Sequence, residues 1–194
     1  NVSLRARSIG NTADAALSSV GVALVDAPSL APTATTAHTV ETFVAGGASV
    51  AAGNVTMSSD LGSTADADVD TVSIGLVTIG SVNPTARAQD TVRSFVDGAI
   101  ITSGALALSA TGTRNSDANA HIVAVGLGAG ASADPTAETT GNTQVYFGSG
   151  SRITAIGNVA ATATSNNRAN SKGVAGAGGG FAKGTLDSTA TLTG

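Results

Sequence analysis

Large apolar side chains in this chain alternate with small or polar ones and do not recur at helical spacing. Thr71-Val72-Ser73-Ile74-Gly75-Leu76 and His121-Ile122-Val123-Ala124-Val125-Gly126-Leu127 have the period of two that a half-buried strand requires, because successive side chains of an extended chain point to opposite faces. No segment keeps a helical period with caps at both ends. The pattern predicts strands of roughly four to seven residues between corners of Gly, Asn, Asp and Ser. On this reading Val125 faces the interior.

The chain also matches itself when shifted by about 51 to 53 residues. Phe43-Val44-Ala45-Gly46 falls on Phe95-Val96-Asp97-Gly98 and then on Phe147-Gly148. Ala31-Pro32-Thr33-Ala34 falls on Asn83-Pro84-Thr85-Ala86, on Asp134-Pro135-Thr136-Ala137 and on Asp187-Ser188-Thr189. Within that period lies a half-period of about 26 residues, an apolar residue followed by two spacers and a glycine. It is seen at Val50 to Gly53, Val77 to Gly80, Ile101 to Gly104, Leu127 to Gly130 and, with one insertion, Ile153 to Gly157. The repeat units divide a single segment, 1–194, at 1–39, 40–90, 91–142 and 143–194.

A unit of about 26 residues built from short strands is the size of one turn of a parallel β-solenoid. The expected fold class is therefore all-β. Seven such coils, stacked about 4.8 Å apart, would make a rod on the order of 35 Å long. Equivalent positions then stack: Val50, Ile101 and Ile153 as one apolar ladder, Phe43, Phe95 and Phe147 as another. Gly53, Gly104 and Gly157, with Gly80 and Gly130, are expected at corners where φ is positive, and Pro32, Pro84 and Pro135 in a shared loop where a missing N–H costs little.

Composition agrees with a thin core. Ala, Thr, Gly and Ser make up more than half of the chain, against Phe 4, Tyr 1 and Trp 0. That is too little bulk for a helical or doubly wound domain of this length. Charged residues are few at 11% and mean hydropathy is +0.25, which argues for folding and against disorder. A net charge of −4 with scattered Lys and Arg offers no basic patch for nucleic acid. No apolar run is long enough to span a membrane. Zero cysteines exclude disulfides and thiolate metal sites, and this usage favours an extracellular home. Beginning at Asn1 without a signal-like region, the chain reads as a piece of something longer.

The repeats FVAGGASVAAGNVTMSSD, FVDGAIITSGALALSATG and FGSGSRITAIGNVAATAT, each followed by an Ala/Gly-rich alternating strand, resemble those of giant bacterial filamentous adhesins of the filamentous-haemagglutinin and leukotoxin-like kind. The resemblance covers about residues 15 to 190 and lies in composition and repeat grammar. It implies a right-handed parallel β-helix, export through the outer membrane and a role as stalk or adhesive fibre at the cell surface. Gly176-Ala177-Gly178-Gly179-Gly180 departs from the pattern by breaking the last alternating strand.

Residues with catalytic potential are sparse. His38 and His121 are the two histidines, and both read as ordinary surface residues. Clustered acids, Arg and aromatic sugar platforms of the kind carbohydrate-active β-helices use are not evident. Asp66, Asp68 and Asp70 alternate onto one strand face, with Asp14 and Asp117 equivalent to Asp66. They are the candidate ligands for Ca²⁺, the one cofactor left open, although a solvated face explains them as well. Thr-x-Thr pairs at Thr33, Thr111, Thr162 and Thr189 are too irregular for an ice-binding plane, and the stretch Gly173 to Gly184 lacks the Gly-Lys-Ser/Thr order of a phosphate loop. The expected function is a structural or adhesive segment of a bacterial surface or extracellular fibre, without catalysis. Its partners would be neighbouring repeats, identical chains stacked end to end, or a host or neighbouring-cell surface. The alternatives are a module binding surface glycan or ice, and a carbohydrate-active enzyme on the same scaffold.

Overall fold

The computed structural model describes residues 1–193. Among them there is no helix, and every strand pairing is parallel. No helix is therefore long and apolar enough to cross a membrane. Each repeat contributes one long strand and a series of short ones. The long strands Val2–Asp26, Val55–Val82, Leu106–Val125 and Val159–Gly178 lie side by side, extended at one end by Ser29–Leu30, Gly128–Ala133 and Phe181–Leu186. Thr33–Thr36, Thr85–Ala88, Thr136–Thr140 and Thr189–Thr193 form a second sheet. The third joins Thr39–Val44, Thr91–Val96 and Asn142–Phe147, and the fourth Ser49–Ala52, Ala99–Thr102 and Arg152–Ala155.

The hydrogen-bonded partner of a residue is its equivalent one full repeat away. Val2 pairs with Val55, Val55 with Leu106 and Leu106 with Val159. No strand pairs with one half a repeat away, so the expected coil of about 26 residues is corrected to a unit of about 52. The physical reason lies in the packing. Leu106–Val125 faces Thr85–Ala88, Thr91–Val96, Thr136–Thr140 and Asn142–Phe147 across the interior, so the half-period is one of two facing layers. The described chain holds fewer than four such units instead of seven. At about 4.8 Å per strand the stack is on the order of 20 Å deep instead of 35 Å.

Between the layers lies a thin, segmented core. At one end Val44, Val55, Met57, Val96, Ile100, Leu106 and Leu108 pack together. At the other are Val69, Val82, Ala120, Ile122, Ala124 and Ala133. Between them Val40, Leu61 and Val92 pack with Ala110, followed by a segment of alanine alone: Ala34, Ala65, Ala67, Ala86, Ala118 and Ala137. The separation of the layers there accounts for the small-residue composition. Each buried Val, Leu or Ile at the ends contributes about 1.5–3 kcal/mol.

Parity corrects three expectations. The apolar ladder is Val50, Ile100 and Ile153, with Ile100 fully buried and its neighbour Ile101 52% exposed. Adjacent isoleucines differ only in which face they meet. Phe43 and Phe95 do stack, at 5.2 Å and 8°, but the third ring is Tyr146, 4.9 Å from Phe95, while Phe147 falls in the row of Val44 and Val96. Val125 points outward beside the buried Ile122 and Ala124. The glycine expectation changes in cause. None of Gly53, Gly80, Gly104, Gly130 and Gly157 has positive φ. Gly104 and Gly157 are needed because corners of successive repeats touch: a Cβ on Gly104 would collide with Asn54 Oδ1, and one on Gly157 would lie 2.7 Å from the Gly104 carbonyl carbon. Pro32, Pro84 and Pro135 occupy stacked loops, their carbonyls accepting from Thr85, Thr136 and Thr189 N–H at 2.9, 2.9 and 3.1 Å.

Candidate functional site

Two polar constellations stand out, one on the outer face of the long sheet and one inside. On the outer face, alternation turns Asp66, Asp68 and Asp70 away from the buried Ala65, Ala67 and Val69, and the register extends each into a row across the repeats. Asp14, Asp66, Asp117 and Asn170 form the first row; Ala16, Asp68, Asn119 and Lys172 the second; Ser18, Asp70, His121 and Val174 the third. Asn119 Nδ2 donates to Asp68 Oδ1 at 2.8 Å, and His121 Nδ1 lies 2.8 Å from Asp70 Oδ1. Asn170 Nδ2 donates to Asp117 at 3.0 Å.

Between the second and third rows runs an open depression of about 670 Å³, with Leu17, Val69 and Ala120 among its lining residues. Burial, reinforced by the charges of Asp68, Asp117 and Asp14, pushes the Asp66 carboxyl above its ordinary range, and its Oδ1 is buried without a hydrogen-bond partner. Among the described residues no three His, Asp or Glu side chains are placed to hold a metal ion. Asp66, Asp68 and Asp70 follow one another along a strand, and side chains two residues apart stand about 6.6 Å apart.

The interior constellation was not anticipated. Asp90, just before Thr91–Val96, is fully buried. Its carboxylate accepts from Ser63 Oγ at 2.6 Å, from the His38 N–H at 2.7 Å and from Thr36 Oγ1 at 3.0 Å, and the His38 Nδ1 lies at 3.0 Å. Burial alone would raise its pKa, but these hydrogen bonds outweigh burial and hold the carboxyl below its ordinary range. Arg114, also fully buried, donates from Nε to the Asp90 carbonyl at 3.0 Å and from its terminal nitrogens to Asn142 O, Thr143 Oγ1, Ser165 Oγ and Asn167 Oδ1. Burial lowers the guanidinium pKa, and the Asp90 charge opposes this. One signal in the sequence pointed here: Arg114 shares parity with Ala110, Ser116 and Ala118, all inward.

His38 and His121 side chains are about half exposed, 45% and 47%, and each meets an aspartate of an adjacent repeat, Asp90 of the following one and Asp70 of the preceding one. Among the described residues no Ser or Thr hydroxyl is hydrogen-bonded to either ring. Thr33, Thr85, Thr136 and Thr189 line up one per repeat, but the adjoining row places Arg87 and Glu138 between Thr35 and Thr191, joined by an ion pair of 3.1 Å. Glu41 and Arg93 make a similar pair at 3.3 Å. Comparison with known proteins finds no matching family model, no matching curated protein and no matching solved structure.

Proposed function

We propose that this chain is a segment of a right-handed parallel β-solenoid with coils of about 52 residues, serving as a structural and adhesive element of a bacterial surface or extracellular fibre and performing no catalysis. The observation that carries the reading is the register itself: four successive long strands pair in register one repeat apart, with a single bulge at Ser8 to Asn11. Right-handed crossovers are the rule for parallel strands joined through a second layer. Such a stack needs no bulky side chains, since each added repeat brings a row of backbone hydrogen bonds worth about 0.5–1.5 kcal/mol apiece. The adhesin resemblance of the repeats and the lack of cysteine support the extracellular setting.

Among the described residues Val2–Asp26 and Val159–Gly178 are each paired along one side only. Unpaired edges of this kind template further pairing, so further repeats or identical chains are the natural partners. Electron microscopy and fibre diffraction of the purified protein test the reading. A fibre with a reflection near 4.8 Å along its axis is the expected result; discrete globules that never associate and give no such spacing would overturn it.

A further inference from the structure

We propose that the depression on the outer face of the long sheet is a binding site for a neutral, hydroxyl-rich glycan chain lying across the repeats. The inference rests on the adhesive reading above and names its ligand. The depression is bordered by two rows of unlike side chains, Asp68, Asn119 and Lys172 on one side and Ser18, Asp70 and His121 on the other. Each row pairs an acceptor with a donor already set in place, Asp68 with Asn119 and Asp70 with His121, both at 2.8 Å. A carboxylate that accepts one such bond keeps further lone-pair sites, the Asn119 amide keeps a second N–H and its carbonyl, and His121 keeps Nε2. Vicinal hydroxyls, each both donor and acceptor, match that mixture.

Other ligand classes fit less well. Across the depression the backbone of Ala16 to Ser18, Asp68 to Asp70 and Asn119 to His121 is paired in register between repeats. Apart from the unpaired outer edge of Val2–Asp26, an extended peptide would find few free main-chain groups to pair with, so recognition across the face falls to side chains. Asp68 and Asp70 line the depression against its one lysine, Lys172, and Asp14, Asp66 and Asp117 form the adjoining row, so the net field is negative and repels sulfated or phosphate-bearing polymers. Val174, in the row of His121 and 43% exposed, adds apolar surface for sugar C–H groups.

The two histidines of the chain give a direct readout, because His121 lines the depression and His38 belongs to the interior network. Ring resonances of both would be followed by NMR during titration with maltohexaose, cellohexaose, xylohexaose and galactohexaose, and with a sulfated hexasaccharide. The expected result is a saturable shift of the His121 signals with at least one neutral sugar, His38 and the sulfated probe giving none. By calorimetric titration, Asn119→Ala and His121→Ala should each weaken that binding tenfold or more, with Glu138→Gln, on another sheet, unchanged. No His121 shift with any neutral probe, equal shifts at both histidines, or affinity that survives both substitutions would overturn the proposal. Fibres that still form in that case leave the structural reading standing; loss of fibres as well removes both.

Discussion

Arg114 is the largest side chain that the interior encloses completely, and its donors reach two neighbouring elements at once. Removing it strips partners from the Asp90 and Asn142 carbonyls, from Thr143, and from Ser165 and Asn167 of the next repeat. Arg114→Ala is expected to cost about 3–5 kcal/mol in chemical denaturation, the range for breaking a buried charged network by removing one member. Asp90 and Asp66 give opposite pH signatures. Asp90 titrates below its ordinary value near 3.8 when folded, so its stabilisation is present above that value and is lost as pH falls through the lower folded pKa. Asp66 titrates above 3.8, so its contribution is complete below that value and is lost as pH rises through the raised one. Asp66→Asn should therefore raise the melting temperature at neutral pH and stop doing so in acid. Asp90→Asn should lower it at neutral pH, with a deficit that shrinks in acid. Parallel melting curves of wild type and both variants from pH 2 to 7 check both signs. Arg114 shares the parity of the inward Ala110, Ser116 and Ala118, which is the one trace of its burial in the local sequence. What the local sequence did not carry was its compensation, because Asp90 and Asn167 become neighbours only when the layers and repeats are assembled.

Alternation locates the strands but not always the inward face: Thr71 and Ser73 are buried while Ile74 and Leu76 are exposed, and the assignment fails again where two large apolar residues are adjacent. Ile100 and Ile101 are such a pair, and conformity to the Gly motif picked the wrong one. Ile100→Ala is expected to lose about 2–5 kcal/mol, the cost of a buried isoleucine plus its cavity, whereas Ile101→Ala should stay within about 0.5 kcal/mol. Equal losses in urea denaturation would mean that both faces of Ala99–Thr102 are covered. The same logic applies to Val125. Val125→Asp should leave the melting transition near that of wild type, and Ile122→Asp, which places an unpaired charge against Val69 and Ala133, should abolish it or displace it by several kcal/mol. The Phe ladder failed differently. Identity matching kept a constant offset, but Phe43 pairs with Phe95 and Phe95 with Tyr146, so unequal repeat lengths defeat alignment by residue type. The Pro-Thr loops were legible because proline fixes their backbone and each recurs at the same place in the repeat.

At the scale of the whole molecule the two periods in the sequence carry different physics. The longer period sets which backbone groups meet, and the shorter one sets which faces meet across the core; both leave the same mark on composition, so pairing distance could not be told from sequence alone. The distinction matters for cooperativity. If each repeat is stabilised mainly by its immediate neighbours, stability is close to a sum over repeats and interfaces, and removing 1–53 should lower the unfolding midpoint while leaving a single transition and an unchanged β spectrum per residue. The shortened chain keeps Ser63 on Asp90 and all the acceptors of Arg114, because those partners lie in later repeats, but it loses Thr36 and His38. A midpoint shift should therefore exceed that of a repeat carrying no buried network, and Asp90→Asn should cost less in the shortened chain than in the full one. Circular dichroism melts of the four proteins measure this directly. Complete unfolding on deletion would mean that the sheets depend on one another globally, and equal Asp90→Asn penalties in both backgrounds would mean that the first repeat contributes nothing to the buried carboxylate.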